Sequence, residues 1–510
     1  MAFDKRFNPD ELREFLKSKY GTGVHVEVFP KTEQEQTEPQ DQMPEKRNKA
    51  LDFSYKPREI KEYLDRYVIK QDEAKKVLAT AVCDHYHHIQ RCSTSEDCRD
   101  YKKQNILLIG PTGVGKTYLI QNIARLIGVP FVKADATKYS ETGYVGGDVE
   151  DLIRDLVHQA GGDIQLAEYG IVYLDEIDKI ATPTATVGRD VSGHGVQRGL
   201  LKLMEETEVP LRSPTDVASQ MQALLEFQSK GKVEKKTIST KHILFVVSGA
   251  FTGLSEIIKR RIGSKQIGFM GEKASADQES FLFEKVRSTD FIEYGFEAEF
   301  VGRLPVVAHC GPLSVDDLFS ILKYSEGSLL KQYKKDFLAY DIDAYFRDDA
   351  MRAIAEKAET ERTGARGLMT VCEKVFRDYK YSLPDQAVRA FVVTRELVED
   401  PQGSLAGLIK NPSRDRSVIL RFHLGKFQQE FKERYGLEVL VSDDGAEAIA
   451  QQAEAAGKDP VEFVSGLFGG YEDGLNLLRQ AGAGKQFVID RAVVLDPAGS
   501  LERWIKETYK

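Results

Sequence analysis

The segment Ile106 to Thr117 reads ILLIGPTGVGKT and sets a G-x-x-x-x-G-K-T pattern directly behind four apolar residues. Gly110, Gly113 and Gly115 free the backbone to turn its N–H groups inward around phosphate oxygens, with Pro111, Thr112 and Val114 between them. Lys116 adds a point charge, and Thr117 offers a hydroxyl to a bound magnesium ion. A second apolar run, IVYL at 171–174, ends in adjacent acids. Asp175 can hold the same ion through its water shell, and Glu176 can polarise a water that attacks phosphorus. The pattern implies ATP and Mg2+ as ligands and ATP hydrolysis as the chemistry.

Such a loop has to be held between a strand and a helix. The spacing of Leu119, Ile123, Leu126 and Ile127 predicts a helix from Thr117 to Ile127, and a short strand follows from Val129 to Lys133. A helix over 149–160 and strands over 171–174 and Ile243 to Ser248 complete the inventory of an α/β fold, with a parallel sheet covered by helices on both faces. Ligand belongs at the carboxyl ends of those strands. Residues 55–100 read as helical and lead into the first strand.

A chain of 510 residues exceeds what one core organises, so several domains are expected. Hydrophobic residues at 41% and charged residues at 30% are a globular balance, with no continuous apolar run of membrane-spanning length. The opening MAFDKRFNPDELREF has no apolar signal core, which points to a cytoplasmic protein without a membrane partner. A formal charge of −9 argues against nucleic acid as a general partner.

The five cysteines, Cys83, Cys92, Cys98, Cys310 and Cys372, are too few and too scattered for a disulfide framework. Cys83, His85, His87, His88, Cys92 and Cys98 raise the question of zinc, but their spacing fits no paired C-x-x-C site. Cys83 and His87 suit the buried face of a helix from about Gln71 to Arg91, and no zinc site is expected. Near the start, Asn8-Pro9-Asp10-Glu11 suits a helix beginning, followed by Leu12, Phe15 and Leu16. The stretch from Pro30 to Ala50 has almost nothing to bury and reads as a linker.

The last third contains an internal echo. FVVTRELVEDPQGSLAGLI at Phe391 to Ile409 recurs as FVIDRAVVLDPAGSLERWI at Phe487 to Ile505, and RDDAMRAIAEKA at Arg347 to Ala358 recurs as SDDGAEAIAQQA at Ser442 to Ala453. The same helix-and-strand unit is therefore expected twice, with Phe487, Val488 and Ile489 as an apolar strand packed on Ala446, Ile449, Ala450 and Ala453.

Taken together, the motifs from about Phe53 to Asp400 resemble the ClpX-type protein unfoldases of the AAA+ ATPases. The resemblance rests on YVIKQDEAKKVLATAV at Tyr67 to Val82, GYVG at Gly143 to Gly146, GVQRGLLKLMEE at Gly195 to Glu206, ILFVVSGAFTGL at Ile243 to Leu254, EFVGRLPVVA at Glu299 to Ala308 and TGARGL at Thr363 to Leu368. It implies an AAA+ P-loop ATPase followed by a small α/β domain and a second, degenerate small-domain-like repeat. By position it implies that Val68 and Ile69 line an adenine pocket and that Arg303 is an arginine finger offered to a neighbouring subunit. Arg366 becomes a second nucleotide sensor, and Tyr144 with Val145 a pore loop that grips polypeptide. Ile267, Gly268 and Phe269 resemble the tripeptide that docks on a ClpP protease ring. The implied assembly is a homohexamer acting on unfolded or tagged proteins, with no peptidase activity of its own; the alternative is a remodelling chaperone that works without a protease.

Three departures bear on that reading. No cysteine precedes Cys83, so the family's N-terminal zinc domain is missing, and an adaptor contact would fall to residues 1–50 or to the C-terminal repeat. Between Pro210 and Thr240 the Arg-Lys-His pore-entry loop is replaced by an amphipathic run from Val217 to Phe227 and by Lys230, Lys232, Lys235 and Lys236. The second repeat has KDPVEF near Lys458 to Phe463 in place of TGARG, so it should be blind to nucleotide. The resulting division is 1–29 helical element, 30–50 linker, 51–312 large ATPase domain, 313–410 small domain and 411–510 degenerate repeat.

Overall fold

In a computed structural model of the chain, residues 52–94, 103–139, 147–181, 193–212, 236–263, 282–435 and, with short interruptions, 438–508 are described. The expected helix near residues 8–20, the linker at 30–50, Tyr144, Val145, Ile267, Gly268, Phe269 and the lysines 230, 232 and 235 lie outside them.

Strands β1 (Ile106–Ile109), β2 (Phe131–Asp135), β3 (Ile171–Asp175), β6 (Leu244–Gly249) and β7 (Val306–His309) form one parallel sheet in the order β2-β3-β6-β1-β7. Between β3 and β6 in the chain, β4 (Glu208–Pro210) and β5 (Thr237–Ser239) pair antiparallel on their own. Their partnership makes the unusual segment 213–235 the connection of a hairpin.

Alternation along the strands explains why the sheet is covered twice. Leu107, Ile109, Val172, Leu174, Phe245 and Val247 enter one core, while Ile106, Leu108, Ile171, Tyr173, Leu244 and Val246 enter the other. A strand buried on both sides must be apolar throughout, which is why IVYL and LFVV read as continuous runs. The first core takes the helices Asp151–Gln159 and Gly193–Met204. The second takes Pro57–Tyr67, Asp72–Thr94 and Lys116–Ile127. The helix after the phosphate loop starts one residue earlier than its apolar spacing predicts, and the strand after it covers Phe131–Asp135 rather than Val129 to Lys133.

Cys83 and His87 of the histidine- and cysteine-rich segment are engaged by packing, and Cys98 lies outside the described residues. Cys83 is buried and donates to the Tyr55 carbonyl oxygen at 3.4 Å, and His87 Nε2 lies 3.1 Å from that same oxygen. His85, not His87, is the fully buried histidine. Burial pushes the Cys83 thiol up to about 12, so it remains protonated. Among the described residues no group of three or more His, Cys, Asp or Glu is arranged to hold a metal. Among the described residues Cys83, Cys310 and Cys372 are free thiols, whereas Cys92 is disulfide-bonded.

A third core gathers around the parallel pair β8 (Asp343–Phe346) and β9 (Ala390–Val393), with the helices Asp348–Thr360 and Ala365–Ser382 between them. A fourth gathers around β10 (Glu438–Val441) and β11 (Gln486–Ile489), also parallel. The two bodies agree in detail. Tyr345 is opposite Val392 in one, and Leu440 opposite Val488 in the other. Asp400 accepts from the Gly403 N–H and Asp496 from the Gly499 N–H, each at 3.0 Å. The Tyr379 hydroxyl donates to the Pro401 carbonyl oxygen, and the Tyr471 hydroxyl to that of Pro497.

Within the last body the packing differs from its apolar pattern at two positions. Ala448 is buried where Ala450 is only half-buried, and Val488 points outward because neighbours on a strand face opposite sides. Ile449 is fully buried, and the Phe487 ring meets Trp504 at a tilt of 39° with ring centroids 5.3 Å apart. Trp504 is the only tryptophan, so its emission reports this body alone. Ile449→Ala should destabilise the tryptophan-monitored urea transition by about 2–5 kcal/mol while ATP turnover persists; an unmoved transition would show that the fourth core is not packed around this residue.

Candidate functional site

The phosphate loop leaves β1 at Ile109 and enters the helix Lys116–Ile127 through left-handed or otherwise glycine-only backbone, with φ of 152° at Gly110, 79° at Gly113 and 98° at Gly115. Side chains are excluded there for two reasons. The conformations are unfavourable for L residues, and a Cβ on Gly110 would collide with the Cys310 carbonyl oxygen, one on Gly113 with that of Thr363. Pro111, Thr112 and Val114 complete the loop, Val114 buried beneath it.

Lys116 is 8% exposed, and its Nζ donates to the carbonyl oxygens of Gly110 at 2.6 Å and Pro111 at 2.8 Å. Burial lowers its pKa, and the nearby Arg366 charge acts in the same direction, against Asp175 and Asp178. A buried ammonium that touches only carbonyl dipoles is a receptor for an anion.

Beside it, Thr117 Oγ1 lies 3.2 Å from Tyr173 Oη and 3.4 Å from Asp175 Oδ2. Tyr173 Oη and Ser248 Oγ are 2.6 Å apart, and Ser248 donates to Asp175 Oδ1 at 2.6 Å. Burial raises the Tyr173 pKa, so the phenol keeps its proton and remains a donor. The result is a threonine hydroxyl and an oriented carboxylate on two adjacent elements, the donor set that suits a hydrated magnesium ion. Glu176 follows with φ of 56°, a conformation rare outside glycine, and its exposed side chain has no hydrogen bond among the described residues. Strain of this kind costs roughly 1–3 kcal/mol and turns the second acid away from the strand axis.

The remaining loop contacts come from elsewhere in the chain. Val68 is buried 3.7 Å from where a Cβ on Gly115 would stand, and Ile69 is half-buried next to it. Gln71 accepts from the Gly311 N–H and donates to the Gly311 carbonyl oxygen, both at 2.8 Å. From the β8–β9 body, the Ala365 N–H donates to the Gly113 carbonyl oxygen at 2.8 Å, which seats the N-terminus of the helix Ala365–Ser382 on the loop. Arg366, in the first turn of that helix, is exposed and forms no ion pair among the described residues. Lys70–Asp317 at 2.8 Å and Arg66–Glu326 at 2.7 Å join the same two bodies.

Arg303 stands apart. It closes the helix Ala298–Gly302, precedes β7 by two residues, and pairs with Glu205 at 2.5 Å while its carbonyl oxygen accepts from Asn105. Asn105 precedes β1, so Arg303 sits at the amino edge of the sheet, whereas Lys116 sits beyond the carboxyl edge. The four residues of β7 alone span roughly 13 Å. Arg303 does not belong to the cluster formed by its own chain, and the exposed pair with Glu205 is weak enough to be exchanged.

Tyr139 and Gly147, on either side of residues 140–146, form a parallel bridge. In the helix Leu254–Gly263, Arg261 grips the buried Asp290 through two hydrogen bonds of 2.6 and 2.9 Å. Ser248, Tyr173 and Gln71 lie inside the segments ILFVVSGAFTGL, IVYL and YVIKQDEAKKVLATAV, but their residue types and spacing did not single them out as site residues.

Residues 101–307 match the AAA domain family of the Cdc48 subfamily. Over 356 residues the chain is 40% identical to the ATP-dependent Clp protease ATP-binding subunit ClpX of Borrelia duttonii (strain Ly), covering 69% of this chain and 80% of that protein. Identity and coverage are the same for the ClpX subunit of Borrelia recurrentis (strain A1).

Gly113→Ala should push the Thr363–Ala365 segment off the loop and force a methyl group into left-handed backbone. Expected is at least a tenfold loss in affinity for a fluorescent ATP analogue, with circular dichroism unchanged; wild-type affinity would show that the loop does not need its contact with the helix Ala365–Ser382.

Proposed function

The chain belongs to the ClpX family of AAA+ ATPases, and on that premise we propose that it is an ATP-driven unfoldase threading polypeptide through a homohexameric pore into a ClpP-type protease. The observation that carries this reading is a phosphate loop clasped by two bodies of one chain while Arg303 waits on the opposite edge of the sheet.

In the proposed cycle, Lys116 and the N–H groups of Gly113 to Thr117 bind the phosphates, Val68 and Ile69 flank the adenine, and Thr117 and Asp175 hold magnesium. The ion, when bound, neutralises charge on the transferring phosphate. Glu176 accepts a proton from the attacking water, and the Tyr173–Ser248 pair keeps Asp175 aimed. Arg303 of one subunit stabilises charge in its neighbour's site, which only a closed ring provides to every protomer. Arg366 senses the γ-phosphate, so its hold on nucleotide moves the β8–β9 body relative to the loop. That movement drives Tyr144 and Val145 along the substrate, and Ile267, Gly268 and Phe269 dock on the protease.

Residues 438–508 we assign as a second copy of the small domain. Support comes from the shared strand register, the matching aspartate caps and the matching tyrosine-to-proline hydrogen bonds. Without a TGARG segment the copy has no role at the nucleotide, and its work is with protein.

Glu176→Gln should keep ATP affinity but lower turnover by about 10²-fold or more, and degradation of a folded fluorescent substrate by added ClpP should stop with it. Unchanged hydrolysis would refute the assignment of Glu176, and ATP-dependent unfolding by the wild-type chain without degradation would favour a protease-independent remodeller. For the shared site, Arg303→Ala and Lys116→Ala subunits mixed in one ring should hydrolyse ATP faster than the sum of the separate variants. No recovery in verified mixed rings would count against action in trans.

A further inference from the structure

The two small parallel strand pairs bury the same inner positions but differ on their outer faces. On β8–β9 the outward residues are Tyr345 and Val392. The Tyr345 ring meets Phe422 and His423 at centroid distances of 5.3 and 5.1 Å, His423 Nε2 shares a 2.6 Å hydrogen bond with its hydroxyl, and Val392 is 4% exposed. Both covering side chains come from the helix Arg416–Tyr435. On β10–β11 the residues at the same register, Leu440 and Val488, remain 45% and 50% exposed.

A paired leucine and valine at the centre of a sheet face cost stability in water, about 25 cal/mol for each Å² of apolar surface left uncovered. The chain itself shows what covers such a face. Leu424, Phe427 and Phe431 of the helix Arg416–Tyr435 enter the fourth core, while Phe422 and His423, on another side of it, lie over Tyr345. That covering portion and the turn before it are basic: Arg416 and Arg421, with Arg414 paired to Asp415 at 3.4 Å. Arg421 reaches Asp443, just past β10, at 2.8 Å. The uncovered strands are bracketed by Glu438, Asp443, Asp444 and Asp490, and in residues 436–510 acidic side chains outnumber basic ones roughly two to one. Leucine in place of Tyr345 also removes the hydroxyl, so an occupant needs apolar carbon at that point and no hydrogen-bonding counterpart.

We propose that the Leu440–Val488 face is the docking site for a basic amphipathic helix of a partner protein, laid across β10–β11 as the helix Arg416–Tyr435 lies across Tyr345. The inference rests on reading residues 438–508 as a nucleotide-blind second copy. It places recruitment of an adaptor or a substrate on this body, within reach of a helix-in-groove mode of recognition.

The probe is a fluorescein-labelled synthetic peptide of residues 413–428, SRDRSVILRFHLGKFQ, titrated by anisotropy against the full chain with ATP. Saturable binding is expected, weakened at least tenfold by Leu440→Glu and by Val488→Glu and reduced by added salt, with ATPase rates unchanged. Both positions are exposed, and Trp504 emission verifies that the variants fold. No saturable binding, or binding that survives both substitutions, would overturn the proposal; the latter would be capture in the pore. Self-association lost on Leu440→Glu would overturn it in favour of a second copy of this chain as the occupant. A fall in ATPase rate in a folded Leu440→Glu variant would instead refute the accessory role assigned to the whole body.

Discussion

A buried cation without a carboxylate partner organises the carboxyl edge of the five-stranded sheet. Lys116 is withdrawn from water and satisfied only by two carbonyl oxygens of its own loop, which leaves its charge to be completed by something brought from outside. The loop can approach that charge so closely only because glycine occupies each turn. Arg366 brings a second positive charge toward the same point, while Asp175 accepts from Ser248 and lies 3.9 Å from Lys133. The geometry suits a polyanion accompanied by a divalent cation, and the family relationship agrees with it.

The same loop is where two separately packed bodies meet. The β8–β9 body has a core of its own, yet its helix Ala365–Ser382 begins on the Gly113 carbonyl oxygen, and Lys70 and Arg66 tie the segment before the large domain's second helix to Asp317 and Glu326. Any ligand that changes the space around Gly113 therefore acts at the joint. Exposed ion pairs at such a joint contribute little to stability, of order 0–1 kcal/mol each, and can exchange without unfolding either body.

Much of this was legible in the residues. Gly110, Gly113, Gly115, Lys116 and Thr117 announce a phosphate loop because few other patterns free so much backbone before a lysine, and IVYL followed by Asp175 and Glu176 announces the strand that faces it. Helix and strand types followed from apolar periodicity, with ends displaced by one or two residues because caps, not periodicity, set the ends. The recurring D-P-x-G-S-L likewise marked two bodies, since an aspartate cap, a proline in the first turn and a glycine beside the cap form a local device that needs no distant partner.

The sequence could not say which side chains would face one another. Ser248 meets Tyr173 and Asp175 only because β6 lies next to β3, and the left-handed turn at Glu176 leads into the buried Ile177 and Asp178. The same holds for Arg303: its residue type suits phosphate wherever it sits, but its place on the amino edge of the sheet follows from the parallel register of β7 with β1. Val488 gives the plainest contrast. In the sequence it is one of three apolar residues in a strand, and only the tertiary structure decides that its two neighbours fill a core while it faces water, because a strand sends alternate side chains to opposite sides and the helix Arg416–Tyr435 packs on the face where Phe487 and Ile489 point.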